Sequence, residues 1–372
     1  MKLTLFINPE HPAGVPLALR IAEHAEQVRV ARQLGFDGVV IGHHLSHGSA
    51  VWLPPFPTLA HLAADAEGMA IGTCMLVLPL FNPVHVAEEA ALLDILSGGC
   101  LVLGVAPGWQ QDEYRSLGVE YGRRIGRFVE AVTLVKRLWT EDRVDFEGQH
   151  FSVAGLSLAL KPMRRPRPPL WFGGSTDRAI QRAAQLVDPS AGDTWVPSSH
   201  LAHDVIAGQV GVFGRALSAL GKPFPSEFPV LRNIVVAPDR ATAIREAGPY
   251  LEASYRVFGQ WGLFTQVVGT DKRQLGLPEL LGGRVVIGGP EECAAELLRL
   301  AEAARFDRLV CRVQWMGMDQ RLVLRTIELL GDRVIPLVAR VTKPTSPTRG
   351  SSSTSRGPSA SSSGMNPAHG SR

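Results

Sequence analysis

Short apolar runs alternate with longer helical patterns through most of this 372-residue chain, and that order constrains the fold more than any single motif. The strand-like runs are LTLFIN (3–8), VVIG (39–42), AIGTCMLVLPL (70–80), CLVLGV (100–105), LWFGG (170–174), AGDTWV (191–196), FPVLRNIVVA (228–237) and RLVCRV (308–313). Most are apolar almost end to end, as parallel strands covered on both faces should be. Helical spacing separates them, for example over 17–35 and 83–99, where Gly98–Gly99 supplies a C-terminal stop. Eight strands are the number that closes a barrel. An open, doubly wound sheet is the alternative, but its GxGxxG loop after the first strand is absent. The predicted architecture is therefore a (β/α)8 TIM barrel over residues 1–341. Within it, FEGQHFSVAG (146–155) reads as a hairpin excursion, Pro249 as kinking or dividing a helix over 238–259, and 260–285 as irregular.

From Thr342 the chain turns to Ser, Pro, Gly and Arg with almost nothing apolar. Burial cannot offset the entropy of ordering such a segment, which predicts a disordered tail over 342–372. Much of the formal charge of +3 sits there, because Lys343, Arg349, Arg356 and Arg372 face no acid. The body is close to neutral, with no basic stripe to neutralise a phosphate backbone, so no nucleic-acid partner is expected. Cys74, Cys100, Cys293 and Cys311 are far apart and form no CxxC pair, which reads as free thiols in a reducing compartment. The opening MKLTLFINPEHP breaks at proline without a signal-type apolar region, and no run is long enough to span a bilayer. A cytoplasmic protein without membrane contact is the expectation.

In a barrel, residues just after the strands face the mouth where chemistry is done. Four such places carry reactive or ligand-binding residue types. His43, His44 and His47 follow the second strand; they read as polar loop residues, as an acid/base or hydrogen-bonding group, or as metal ligands without a carboxylate-rich partner segment. TCMLVLPLFNP (73–83) ends the third strand. GVAPGWQQDEY (104–114) follows the fourth and carries Trp109, either a stacking platform or a wall. GGSTDR (173–178) follows the fifth, and its glycines and hydroxyls at a helix start fit either a phosphate cradle or an ordinary cap. Arg123, Arg124 and Arg127 read as a solvated helix face, and Glu88 and Glu89 as acids near a helix start.

Taken in order, GFDGVVIGHH (35–44), IGTCMLVLPLFNPVHVAEEAALLDILSGGCLVLGVAPGW (71–109), RLWTEDRVDFEGQHF (137–151) and RPPLWFGGST (167–176) resemble the luciferase-like flavin-dependent oxidoreductases. GPEECAAELL (289–298) and RVQWMGM (312–318) are similar to one branch of that family. The resemblance implies a (β/α)8 barrel with an insertion in its C-terminal third. It implies flavin at the mouth, phosphate toward Gly173, Gly174, Ser175 and Thr176, and a non-proline cis bond beneath the ring, here Cys74–Met75. Trp109 would lie on the adjoining loop. His44 matches the histidine that luciferase uses in its flavin–oxygen chemistry, whereas His43 stands where many relatives carry Asp or Glu. Ala106 and Pro107 replace luciferase's reactive cysteine and phosphate-binding arginine, so the phosphate needs other donors here.

The activity so implied is a monooxygenase using O2 and reduced FMN from a separate flavin reductase, with no metal. An F420-dependent oxidoreductase transferring hydride without O2 is the runner-up, and a non-catalytic flavin-binding barrel a third reading. A homodimer through helices at 57–67 and 83–97 follows from the same resemblance. Leu45, Trp52, Phe56, Phe81 and Trp109 would line the mouth, favouring a small, mostly apolar organic substrate.

Overall fold

The computed structural model describes residues 1–46, 50–265 and 276–342. Its strands, in chain order, are β1 (Lys2–Ile7), β2 (Glu10–Pro12), β3 (Gly38–Ile41), β4 (Ala50–Trp52), β5 (Ala70–Val77), β6 (Leu101–Ala106), β7 (Val144–Glu147), β8 (Ser152–Leu156), β9 (Leu170–Gly173), β10 (Thr194–Val196), β11 (Pro229–Val236), β12 (Val285–Gly288) and β13 (Arg308–Arg312). Among the described residues, nine of these form one parallel sheet in the order β10-β9-β6-β5-β3-β1-β13-β11-β12. β2 pairs antiparallel with β4, and β7 with β8, the latter being the expected hairpin.

The alternation of side chains along each strand builds two cores. Phe6, Val40, Cys74, Val102, Trp171, Val196 and Val310 form one buried cluster, with Leu231 packed against it. These residues come from eight different strands, so the sheet curls around a shared interior. Residues of the opposite parity, such as Leu5, Val39, Ile41, Leu103 and Phe172, join the outer core. Helices such as Leu17–Gln33, Pro83–Leu96 and Arg124–Thr140 bury their apolar faces there. The helix Pro83–Leu96 is capped by Asn82, whose side chain accepts from the Val84 N–H, and ends where Gly98 and Gly99 take positive φ. Among the described residues, no helix is long and apolar enough to cross a membrane.

The expected closed ring of eight strands is not what the hydrogen-bond ladder shows. β12 is a ninth parallel strand, paired to β11, and the ladder stays open between β10 and β12. One side chain and one backbone N–H bridge that seam instead. The Arg232 guanidinium donates to Leu201 O at 2.9 Å and to Arg284 O at 2.7 Å, and the His203 N–H reaches Gly283 O at 3.0 Å. VVIG at 285–288 repeats the run that marks β3 but lies among the glycines at the end of a stretch read as irregular, and its pairing with β11 identifies it as a strand.

Pro249 does not divide its helix. Arg240–Gln260 runs through it, because Pro249 is exposed while Ala247, Leu251 and Tyr255 keep the buried face continuous. A helix at His203–Ala219, not anticipated, connects β10 to β11. His47, part of the expected insertion at 266–275, and the tail from 343 onward lie outside the described residues.

Candidate functional site

The C-terminal ends of β1, β3, β5, β6, β9, β10 and β13, with Leu231 of β11, surround a cavity of about 660 Å³. All eight residues singled out from sequence line it: His44, Cys74, Met75, Trp109, Gly173, Gly174, Ser175 and Thr176. Convergence at one end of a parallel sheet is what this topology produces, since every strand points its C-terminus the same way.

His44 is held from behind. The short helix Gln111–Ser116 turns Glu113 fully inward, where its Oε1 lies 2.9 Å from His44 Nδ1 and accepts the Leu45 N–H at 2.7 Å. Burial alone would raise the Glu113 pKa, but the hydrogen bond and charge of His44 and then the Leu45 N–H outweigh it and hold the carboxyl below its usual range. An ionised carboxylate only accepts, so His44 Nδ1 carries the proton facing it and Nε2 is left for chemistry. Trp52, Trp109 and Trp261 surround the imidazole, with ring centroids 4.7, 5.8 and 5.7 Å away. Its neighbour His43 is pushed down to about 4, first by burial and then by His44, and its Nδ1 accepts the Val77 N–H at 3.4 Å. His43 is thus a neutral group.

On β5 the Cys74–Met75 bond is cis, at the point where pairing with β6 shifts register between Thr73 and Leu76. Met75 lines the cavity, and a Cβ on Gly173 would sit 2.9 Å from Met75 Cγ and 3.1 Å from Ala106 Cβ. Only glycine leaves room for the methionine there. The Cys74 thiol is buried and pushed up to about 12, which makes it a packing group and not a nucleophile.

The opposite wall is cationic. A buried, bidentate Arg167–Asp193 pair at 2.7 and 2.8 Å ties together the segments entering β9 and β10, at the far end of the strands from the cavity. Trp195 Nε1–H donates to Gly174 O at 2.9 Å, Gln209 donates to Ser175 O at 2.6 Å, and Thr176 Oγ1 caps the helix Asp177–Leu186 through the Ala179 N–H. Arg124, Arg178 and Arg182 converge on this end. Burial and then repulsion from Arg124 lower the Arg182 pKa, and Arg124 Nε has no hydrogen-bond partner. Cations crowded at a helix N-terminus form a site for an anion.

A model of the luciferase-like monooxygenase family matches residues 1–308. The chain belongs to that family. The oxygenase component of a flavin-dependent trigonelline monooxygenase from Acinetobacter baylyi is 25% identical over 264 residues, covering 70% of this chain and 72% of that protein. Two solved structures share the fold. The FMN-bound oxygenating constituent of 3,6-diketocamphane monooxygenase from Pseudomonas putida has a TM-score of 0.74 at 17% identity, covering 90% of this chain and 98% of that one. An F420-dependent secondary alcohol dehydrogenase with an F420–acetone adduct has a TM-score of 0.72 at 21% identity, covering 91% and 98%.

Within this luciferase-like chain, several sequence expectations need correction. Arg124 does not face solvent: the start of its helix is turned so that Arg124 lines the cavity, stacked 3.8 Å over Tyr121. Arg127 covers Phe151 and donates to Pro79 O, while Arg123 alone of the three is exposed, paired with Glu120 at 2.7 Å. Of the five aromatic and aliphatic residues expected at the mouth, Trp52 and Trp109 line the cavity, but Leu45, Phe56 and Phe81 do not. Phe56 sits in the outer core, and Phe81 packs on His43 at 5.1 Å. Sequence reasoning missed Glu113, His200 and Arg312. Nothing local marks a glutamate in a first helical turn as buried; only the fold brings it to His44. Among the described residues, no group of three or more His, Cys, Asp or Glu could hold a metal.

Proposed function

We propose that this chain is the oxygenase of a two-component flavin monooxygenase, taking reduced FMN from a separate reductase and acting with O2 on a small organic substrate in the cytoplasm. The observation that carries this reading is one cavity holding an arginine cluster at a helix N-terminus and, across from it, the His44–Glu113 pair. The residues fit the cofactor. Arg124 has an unused buried donor, and a Cβ on Gly174 would meet Ala179 Cβ at 2.7 Å, so glycine keeps the backbone low where a phosphate would rest. Bound reduced flavin would supply the electrons that activate O2. Arg124, Arg178 and Arg182 would hold the phosphate, with Gly174, Ser175 and Thr176 beside them, and Cys74, Met75 and Gly173 would contact the rest of the cofactor. His44 Nε2 moves a proton to or from the reacting oxygen while Glu113 fixes the imidazole, and the three tryptophans pack around its ring.

A second reading, hydride transfer with F420, draws on the same pair, since His44 could equally take the proton of an alcohol. Anaerobic titration with reduced FMN and with reduced F420, followed by absorbance, separates the two. Reduced FMN is expected to bind, and Arg124→Met with Arg182→Met to weaken it by about 10–100-fold for each charged hydrogen bond lost. Binding of F420 alone would overturn the FMN reading.

We also propose a homodimer. The helix Pro83–Leu96 leaves Leu92, Ile95 and Leu96 exposed in a row on one face, as a partner surface would. Light scattering should report a dimer for the native chain and a monomer for Leu92→Glu with Leu96→Glu. A native monomer would refute this.

A further inference from the structure

The cavity extends beyond the arginine cluster to the ends of β1 and β13, where its wall changes character. Arg312, 5% exposed, lines the cavity between the Phe6 and Phe258 rings, 5.8 and 5.5 Å away. Its Nη2 donates to Asn8 Oδ1 at 3.2 Å, and among the described residues its Nε has no hydrogen-bond partner. The nearest acid, Glu10, is also buried, yet its Oε2 stops at 3.8 Å, and among the described residues neither of its oxygens has a hydrogen-bond partner. Burial pushes the Glu10 carboxyl up, which weakens the one countercharge beside the guanidinium. A buried guanidinium with an unused donor is costly, because one amide oxygen, two ring faces and a carboxylate at 3.8 Å repay only part of its lost hydration.

His200 stands on the same wall. Burial and then the nearby Arg312 push it down to about 3, so it is neutral. The Tyr255 hydroxyl accepts from Asn233 at 2.9 Å and lies 3.1 Å from His200 Nδ1, which accepts the phenolic proton in the tautomer that carries its own proton on Nε2. That leaves His200 Nε2 as an N–H donor.

We propose that Arg312 binds a carboxylate of the substrate, with Asn8 and His200 as flanking groups, so that the substrate is an organic acid. A planar guanidinium matches the two oxygens of a carboxylate, and Phe6 and Phe258 hold the fork in place. The proposal rests on reading the opposite, Arg124–Arg182 end as the cofactor's, which leaves this end to the substrate. It replaces the mostly apolar substrate expected from the sequence, an expectation drawn partly from residues that lie outside the cavity wall.

Trp52 and Trp109 line the cavity, so tryptophan fluorescence of the full chain reports occupancy without turnover. Hexanoate and hexanol, identical in tail, are titrated with inorganic phosphate at saturation to fill the arginine cluster. Hexanoate should bind about 10–100-fold more tightly than hexanol, and Arg312→Met should abolish the difference. Arg312→Lys, which keeps the charge and loses the fork, should retain a reduced preference. Three results would each overturn the proposal: no preference in the native chain, a preference lost in Arg182→Met and kept in Arg312→Met, or equal loss of riboflavin 5′-phosphate and hexanoate affinity in Arg312→Met. Riboflavin 5′-phosphate binding to the native chain tests the cofactor reading separately, so either claim can fail alone.

Discussion

Replacing His44 by Ala should cut turnover by about 10²–10⁴-fold, the range that general acid–base catalysis supplies. The assay couples a flavin reductase to the protein and counts product formed, not NADH consumed, so that uncoupled flavin oxidation does not mask the loss. The substitution has a structural cost as well. Glu113 is fully buried and its Oε1 has two partners, His44 Nδ1 and the Leu45 N–H. Removing one leaves the carboxylate under-satisfied, at a cost of about 1–3 kcal/mol. His44→Gln distinguishes the two effects, because an amide can still donate to Glu113 yet cannot shuttle a proton at working pH. Stability close to native with turnover as low as in the alanine variant supports the acid/base role. Native turnover in either variant would end it. Glu113→Gln should lower kcat with little change in KM, since Glu113 orients the imidazole without lining the cavity.

The second large effect is a loss of stability in mild acid. Burial pushes His24 and His200 down to about 3 and His11 and His43 to about 4, and His203 to about 3. In the unfolded chain each would titrate near 6.5. Below that pH the unfolded state therefore binds protons that the folded state refuses, and stability falls as pH falls. Their contribution is complete above 6.5 and is lost progressively down to 3–4. Each such histidine costs about 1.4 kcal/mol per pH unit in that window, so His11, His24 and His200 together remove roughly 4 kcal/mol between pH 6 and 5. Glu113, held low, adds to the loss below its unfolded pKa. Glu10, pushed up by burial, acts in the opposite sense. Urea midpoints measured from pH 8 to pH 5 should drop steeply, with uptake of several protons on unfolding. A flat profile would show that these histidines take up protons in the folded state. His24 is the sharpest single test, since neither ring nitrogen has a side-chain partner, and His24→Leu should flatten the curve.

The strands were legible because a parallel strand covered on both faces must be apolar at nearly every position. Seven of the expected runs differ from the observed strands only at their ends, and RLVCRV holds β13. β12 was not legible: four apolar residues beside glycines fit a loop as well as a strand, and only its pairing with β11 decides. Open edges at β10 and β12 were hidden for the same reason, since closure depends on pairing between residues some ninety positions apart.

For the site, the sequence determined which loops face the chemistry, because strand polarity in a βα repeat puts every C-terminal loop at one mouth. It also marked the Gly173–Gly174 pair, the Thr176 cap and, through the family resemblance, the cis peptide between Cys74 and Met75, whereas only the fold shows Gly173 making room for Met75. Only the tertiary structure decided their charge partners. Glu113 meets His44 across 69 positions, Arg124 joins Arg182 from a different helix, and Arg312 reaches Asn8 across 304. Local pattern records burial and hydrogen bonding within a segment, where neighbours in sequence are neighbours in space. Countercharge and shared cavities are made by residues that become neighbours only when the sheet curls.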